Sequence, residues 1–334
     1  MGWTVAIGVD TDKDLLVAVA CDRLGRQLDS CTVEPDQQGF SRLLRWAQEL
    51  GRPAFAIEGC GSYGAGLADF LAAAGIAVFE CERPRRRERR RGKNDLIDAA
   101  LAARRLVSGE GLSLPRGGGL VREQLRLLLL ERRGVIEART AALNQLHAVA
   151  LSAALPGRLR RLDSRRLIEA CLRLRTATIE RTVVRRLAAR IRDLDAELAL
   201  LDGQLDELVA RRAPQLLQEC GVGAVCAAQL LVSSGEPSRM RSEAAFAAFA
   251  GTSPLDASSG RQRRHRLNRG GDRQLNRALH VISLNRTRYH EQTRAYYEHL
   301  LATGKTTREA RRCVKRALAR YFYRQLRALD PLTP

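Results

Sequence analysis

Residues 4–33 read TVAIGVDTDKDLLVAVACDRLGRQLDSCTV. Three short apolar runs, Thr4–Val9, Leu15–Cys21 and Leu28–Val33, are separated by Asp12-Lys13-Asp14 and by Leu24-Gly25-Arg26. Runs of this length rich in Val, Ile and Ala and broken by turn formers predict three strands in a meander. Downstream, Phe40, Leu43, Leu44 and Trp46–Leu50 follow helical spacing, and Pro53–Glu58 returns as a strand. Ala65–Ala74 reads as a helix, Ile76–Cys81 as a strand, and Asn94–Val107 as a helix.

The order β-β-β-α-β-α-β-α is that of the ribonuclease H-like fold, a mixed sheet flanked by helices in which the first and fourth strands are neighbours. Asp10 ends the first strand and Glu58 ends the fourth; Asp95 and Asp98 stand three apart on one helix and share a face. Four carboxylates would then converge. With no lysine in the strand segments to neutralise them, such a cluster asks for hard divalent cations, and Mg²⁺ is the usual occupant of an oxygen-rich site left open to a phosphate. Ions bridged by carboxylates polarise a phosphodiester, which is nuclease or strand-transfer chemistry. Blander roles exist for two of the acids: Asp10 as a turn former beside Thr11-Asp12, and Asp95 as a helix cap. Glu58 is harder to explain structurally, because it puts a charge at the end of a buried strand just before Gly59-Cys60-Gly61.

The 334-residue chain carries 57 Lys and Arg against 37 Asp and Glu, a net charge of +20. Only Lys13, Lys93, Lys305 and Lys315 are lysines; the bias to Arg, with so much Ala, fits a GC-rich genome, but Ala and Gly add no cation, so the charge itself points to nucleic acid. The longest apolar run, Phe70–Phe79, is half a membrane span, no signal peptide is recognisable, and Ala6 stands where a myristoylation site wants Ser or Thr, so a cytoplasmic protein without a membrane partner is expected. The eight cysteines show no metal-ligand spacing and read as reduced, packed thiols.

Arg83–Arg91 holds seven arginines, among them Arg85, Arg86, Arg87, Arg89 and Arg90, and reads either as a solvated linker or as a loop that tracks phosphates. Beyond the Gly117-Gly118-Gly119 break, Leu120–Leu151 predicts a long helix packed on the first domain. Val184, Leu187, Ile191, Leu194, Leu198, Leu201, Leu205 and Leu208 alternate at three and four residues. That seam predicts a coiled coil, with a helix lying on its own domain as the alternative. Gly221-Val222-Gly223 before a helical run at Ala224–Val232 resembles a helix-hairpin-helix turn, so Gly221 and Gly223 are candidates to offer backbone amides to a phosphate. Then come Ser258-Ser259-Gly260, a basic arm with Arg261, Arg263, Arg264, Arg266 and Arg269, a helix opened by Asp272, and a basic helical tail. The expected domains are 1–155, an α/β ribonuclease H/RuvC-like catalytic domain; 160–213, a helical coiled coil; and 214–330, a mostly helical domain.

Asp10, Glu58 and Lys93-Asn94-Asp95-Leu96-Ile97-Asp98-Ala99 resemble the DEDD tetrad of insertion-sequence transposases with a RuvC-like domain, in which a K-x-D-x-x-D-A helix supplies the last two acids. The second half is similar to the same family: Gly251-Thr252-Ser253-Pro254, Ser259-Gly260, the basic arm, and Asn268-Arg269-Gly270-Gly271-Asp272 where members often carry K/R-x-G-N. The resemblance implies a recombinase of a mobile element, with Asp10, Glu58, Asp95 and Asp98 holding Mg²⁺ and a serine attacking the scissile phosphate. Ser258 and Ser259 are equivalent as loop residues; the family pattern, with the serine five residues after Pro254, selects Ser259. A serine hydroxyl is a weak nucleophile, and the arginines after it are placed to clamp phosphate oxygens. The resemblance further implies a structured non-coding guide RNA pairing with donor and target double-stranded DNA. Further copies of the chain are expected, as a dimer and as a tetramer in the synaptic complex, with the acids of one protomer facing the serine of another. A sugar kinase or actin-like ATPase would need a glycine-rich loop where Thr11-Asp12-Lys13-Asp14 stands. The remaining rivals are a RuvC-like Holliday-junction resolvase, which needs neither coiled coil nor serine domain, and a non-catalytic nucleic-acid-binding protein, which has no need of four acids.

Overall fold

Alternation along the first strand sets up the α/β part of the protein. The computed structural model describes residues 2–81, 94–115, 119–152, 162–175, 177–235, 239–256, 265, 266, 268 and 270–329. The chain divides into two compact units, residues 1–119 with 235–239, and residues 120–234 with 240–334.

The first unit contains β1 (Val5–Thr11), β2 (Leu16–Cys21), β3 (Gln27–Val33), α1 (Gln37–Glu49), β4 (Pro53–Glu58), α2 (Ala65–Ala73), β5 (Ala77–Cys81), α3 (Asp95–Ser108) and β6 (Leu112–Ser113). The sheet order is β3-β2-β1-β4-β5-β6. The first three strands form the expected antiparallel meander, while β1, β4 and β5 run parallel. Strand β1 runs one residue past Asp10, to Thr11, and Asp10 at its end is paired opposite Val17. Strand β6 adds an edge that the sequence does not signal, since two residues carry no periodicity to read.

Val5, Ile7 and Val9 share a core with Phe55 and Ile57 of β4 and with Leu43, Leu67 and Leu71 of α1 and α2. Each of those leucines contributes about 1.5–3 kcal/mol of transfer free energy on burial. The other face of the sheet is small. Ala6, Ala54 and Ala56 meet Ala102 and Leu106 of α3, and Val19 and Cys21 meet Ala99, Ala100 and Ala103. At Gly8, between Ala6 and Asp10, there is no room for a side chain: a Cβ would stand 2.0 Å from the Ala99 carbonyl oxygen and 2.2 Å from the Ala103 nitrogen. Both obstacles are helix backbone, so neither can swing aside.

The second unit contains α4 (Gly119–Ser152), α5 (Ser164–Leu172), α6 (Ile179–Arg212), α7 (Pro214–Leu217), α8 (Ala224–Ser234), α9 (Glu243–Phe249), β7 (Leu255–Asp256), β8 (His265–Arg266), α10 (Arg273–Tyr289), α11 (Glu291–Ala302) and α12 (Thr307–Arg327). Helix α4, expected to pack on the first domain, places Leu125 in one core of the second unit and Ala142, Leu146 and Ala150 in another. It pairs with α6 through ion pairs Arg132–Asp202, at 2.6 Å, and Arg139–Asp195. One partner number rises as the other falls, so the two helices are antiparallel.

The apolar seam of α6 is filled from within the chain at both ends. Val184, Leu187 and Ile191 pack with Leu146, Leu167 and Cys171, and Leu205 and Leu208 enter the core formed with α8, α10 and α12. Leu194 and Leu198, between them, are half-buried. A heptad seam needs an apolar partner stripe, and at both ends of this one the partners, α4 among them, come from the same chain. Among the described residues no helix is long and apolar enough to cross a membrane.

Gly8→Ala should force α3 off the sheet. Overpacking of this kind costs typically 1–3 kcal/mol, so the variant is expected to melt several degrees below wild type in a thermal denaturation followed by circular dichroism. An unchanged midpoint would show that the helix can retreat freely.

Candidate active site

The side chains of β1 that face α3 are Ala6, Gly8 and Asp10, and those of β4 are Ala54, Ala56 and Glu58, because alternate residues share a face. The parallel register pairs Val9 with Ile57. Asp10 and Glu58 therefore sit one residue further along neighbouring strands, at the carboxyl end of the parallel pair, where ligands bind in open α/β sheets. The Thr11 hydroxyl donates to the Glu58 carbonyl at 2.8 Å and ties the two strand ends together. Beyond Glu58 the chain turns through Gly59 at φ 73°, and Ser62 N donates to the Gly59 carbonyl at 2.8 Å.

Helix α3 brings the other two acids. Its N-cap is Asn94, whose side chain accepts from Leu96 N at 3.1 Å, so the capping role considered for Asp95 belongs to its neighbour. Asp95 is exposed in the first turn, whereas Asp98, three residues on, is only 4% exposed.

The four carboxylates form one electrostatic group. Burial, and then repulsion from Glu58, Asp95 and Asp98, push the Asp10 carboxyl up to about 6, against a hydrogen bond from the Thr11 backbone that favours the charged form. Among the described residues no group of three or more His, Cys, Asp or Glu side chains is already close enough together to hold a metal ion. The donor set nonetheless fits a hard divalent cation: it offers carboxylate oxygens alone, and the mutual repulsion felt at Asp10 is what a bound cation relieves. Cys60, at the nearby turn, is buried and its thiol is pushed far up, which leaves it a packed thiol as expected.

The sequence candidates elsewhere divide into three groups. Ser259, Arg261, Arg263, Arg264 and Arg269 lie outside the described residues, as do Arg85, Arg86, Arg87, Arg89 and Arg90. Arg266 is in β8, whose antiparallel pairing with β7 (Leu255 with Arg266, Asp256 with His265) closes the chain on either side of the Ser259 segment. Gly221 and Gly223 do precede α8 in a tight turn. Gly221, at φ 79°, abuts α10 so closely that a Cβ would lie 2.8 Å from the Asn285 Cβ, which is a packing reason for glycine. The buried Arg286 pins this turn, donating to the Cys220 carbonyl at 2.9 Å and pairing with Glu219, its guanidinium over the Tyr321 ring at 5.0 Å. Sequence reasoning missed Gly8, and its only signal there is a glycine in mid-strand.

Between about 4 and about 6 the folded chain keeps a proton on Asp10 that the unfolded chain, near 3.8, has released. The folded state binds more protons in that window, so this residue's contribution to stability falls as pH rises through it. In metal-free buffer, Asp10→Asn is expected to gain melting temperature over wild type as pH goes from 4 to 7, and Mn²⁺ or Mg²⁺ should narrow that gap by stabilising wild type alone. A gap independent of pH would contradict the coupling.

Comparison with known proteins gives two family matches. A family described as "Transposase", of DEDD type and named for IS110, matches residues 7–156, which include all four acids. A second, described as "Transposase IS116/IS110/IS902 family", matches residues 213–298. The chain is also similar to the "Insertion element IS110 uncharacterized 43.6 kDa protein" of Streptomyces coelicolor, 32% identical over 138 residues. That similarity covers 40% of this chain and about a third, 34%, of the relative's length.

Proposed function

The chain belongs to the DEDD-type transposases of the IS116/IS110/IS902 family, and from that premise we propose that it is the recombinase of an insertion sequence, cutting and exchanging DNA strands. The observation that supports this most is the coupling of Asp10 to Glu58, Asp95 and Asp98 at the end of adjacent parallel strands. DEDD transposase domains generally use divalent metal ions, and we assign Mg²⁺ to this site, with those four acids as the residues that would hold it. When bound, it supplies positive charge to a phosphodiester and to the oxygens that gain charge as the bond breaks.

The chain's own residues carry the rest. In this reading residues 1–155 do the metal chemistry, 160–213 form the helical arm, and 214–330 present the nucleophile. Ser259 Oγ loses its proton and forms a bond to phosphorus; the bond from phosphorus to one deoxyribose oxygen breaks, and that oxygen leaves with a proton. The number of phosphodiester bonds is conserved, so a strand from a second duplex can later displace the serine with no outside energy source. Arg261, Arg263, Arg264, Arg266 and Arg269 clamp phosphate oxygens near the serine, while Arg85, Arg86, Arg87, Arg89 and Arg90, with the Gly221 and Gly223 turn, contribute further backbone contacts. The +20 charge suits both donor and target DNA and a structured non-coding guide RNA that selects them. Ser259 lies some 160 residues after the last of the acids in sequence, in a different unit, which favours a site composed from two protomers of a dimer or tetramer.

Asp10→Asn and Asp98→Asn should each abolish strand exchange on plasmids carrying the element's ends while leaving fold and nucleic-acid binding intact, since an amide keeps the shape and loses the charge. Near-wild-type activity in either would remove the tetrad from the mechanism. Mixing Asp10→Asn protein with Ser259→Ala protein is expected to restore part of the activity through mixed assemblies. Inactivity in proven hetero-oligomers would place acids and serine in one chain, and a covalent DNA adduct formed by Ser259→Ala protein would exclude Ser259.

A further inference from the structure

Helix α10, the segments at Gly251 and Gly271, and Lys315 of α12 line an open cavity of about 720 Å³ in the second unit, with Arg273, Gln274, Asn276, Arg277 and His280 in its wall. Among the described residues that line it none is acidic. Arg273 and Arg277 are exposed and, among the described residues, no carboxylate pairs with either, or with Lys315. Lys315 is the unusual member: a lysine only 9% exposed. Its ammonium donates to the Asn276 Oδ1 at 2.8 Å, and the Asn276 Nδ2 donates to the Ala250 carbonyl at 2.7 Å. Asn276 thereby fixes the ammonium while occupying one of its three donors. A cation held in a cavity with neutral partners only is costly unless something negative joins it. The neighbouring His280 imidazole registers the same field: burial and the charges of Lys315 and Arg311 hold it below its ordinary range.

The floor of the cavity is rigid. Gly251, at φ 64°, and Gly271 are in direct backbone contact; a Cβ on Gly271 would lie 2.3 Å from Gly251 N and 2.5 Å from its Cα. The acid closest in sequence, Asp272, is turned to other work: its Oδ1 accepts from Gln274 N and Leu275 N, and its Oδ2 accepts from the Ser233 hydroxyl. Arg316 Nη1 donates to Ser253 Oγ at 3.0 Å, securing the turn that follows Gly251. The chain that leaves this floor at Gly251 and returns at Asn268 carries β7 and β8.

We propose that this cavity is a phosphodiester seat, in which Arg273, Arg277 and Lys315 receive a backbone phosphate of the nucleic-acid strand. The chemistry is that of a built anion site: two forked guanidiniums at the rim, one fixed ammonium below, and neutral donors from Gln274 and His280. It rests on the reading of the chain as a nucleic-acid enzyme and adds residues that neither the basic arm nor the tetrad includes.

The test is the salt dependence of binding to two probes, a duplex DNA of mixed sequence and an RNA hairpin of the same length. Removing one cation that neutralises a phosphate lowers the slope of log K against log salt by roughly 0.7–0.9. Arg277→Gln and Lys315→Met should each lower it by about that amount for at least one probe, and the probe affected identifies whose backbone is seated. Arg294→Gln, an exposed cation of α11 outside the lining, should leave it unchanged. Because Arg277 is exposed, its variant keeps the fold even where Lys315→Met does not. An unchanged slope on both probes, or an equal decrease with Arg294→Gln, overturns the seat. Asp10→Asn, measured alongside, separates the two readings: it should keep the full slope and lose strand exchange, so a failed seat and a failed tetrad give different results.

Discussion

Helix α3 lies on β1 at a distance that only a glycine permits, and the candidate active site depends on that approach. Asp is a short side chain. For Asp95 and Asp98 to interact with Asp10, the helix axis has to come nearer the sheet than ordinary side chains between them allow. Gly8 removes the obstruction at the point of contact, and alanines on both surfaces extend the close packing along the helix. The arrangement gathers four like charges, and burial first, with their repulsion added, raises Asp10 to about 6. Local devices hold each acid against it: Asn94 caps α3, the Thr11 hydroxyl binds the Glu58 carbonyl, and Gly59 with Ser62 shapes the following turn. A site held open against repulsion by packing is preorganised for positive charge.

The second unit uses the same means to the opposite electrostatic end. Gly251 against Gly271 brings two chain segments into backbone contact, as Gly8 does with α3, and the residues around that contact are cationic instead of acidic. Its other buried cation is handled differently. Arg286, 5% exposed, is neutralised by Glu219 and stacked on Tyr321, and so holds the turn before α8. One buried cation is satisfied by an acid and serves structure, while the other has only neutral partners. That contrast, within a single core, is the physical ground for giving them different roles.

The features legible in the sequence were those set by local rules. Pro53–Glu58 forms the strand expected of it, and the Asn94–Val107 helix differs from α3 by one residue at each end, because a cap and a left-handed Gly109 mark its limits. Adjacency of β1 and β4 followed from element order alone. What could not be read required knowing what lies opposite. The α6 seam has the period of a coiled coil whichever chain fills it, and nothing in residues 184–208 says that its two ends pack within their own chain. Gly8 reads as a weak point in a strand until the helix over it is seen. The cationic cavity joins Arg273 and Arg277, one turn apart on α10, to residues 251, 271 and 315, and no local period links that pair to the other three.

The acids of α3 are unequal, and the inequality gives the site a direction. Asp98 is enclosed and Asp95 is exposed, although three residues on one helix put them on one face. Asp10 and Glu58, both half-buried, lie at intermediate depth. The carboxylates thus grade from a closed floor at Asp98 to an open rim at Asp95. Asp98 and Asp10 would meet a cation from the enclosed side, and the exposed Asp95 leaves the other side of the group open to solvent. Burial, more than the identity of the four acids, therefore separates an enclosed side of the site from a side open to solvent.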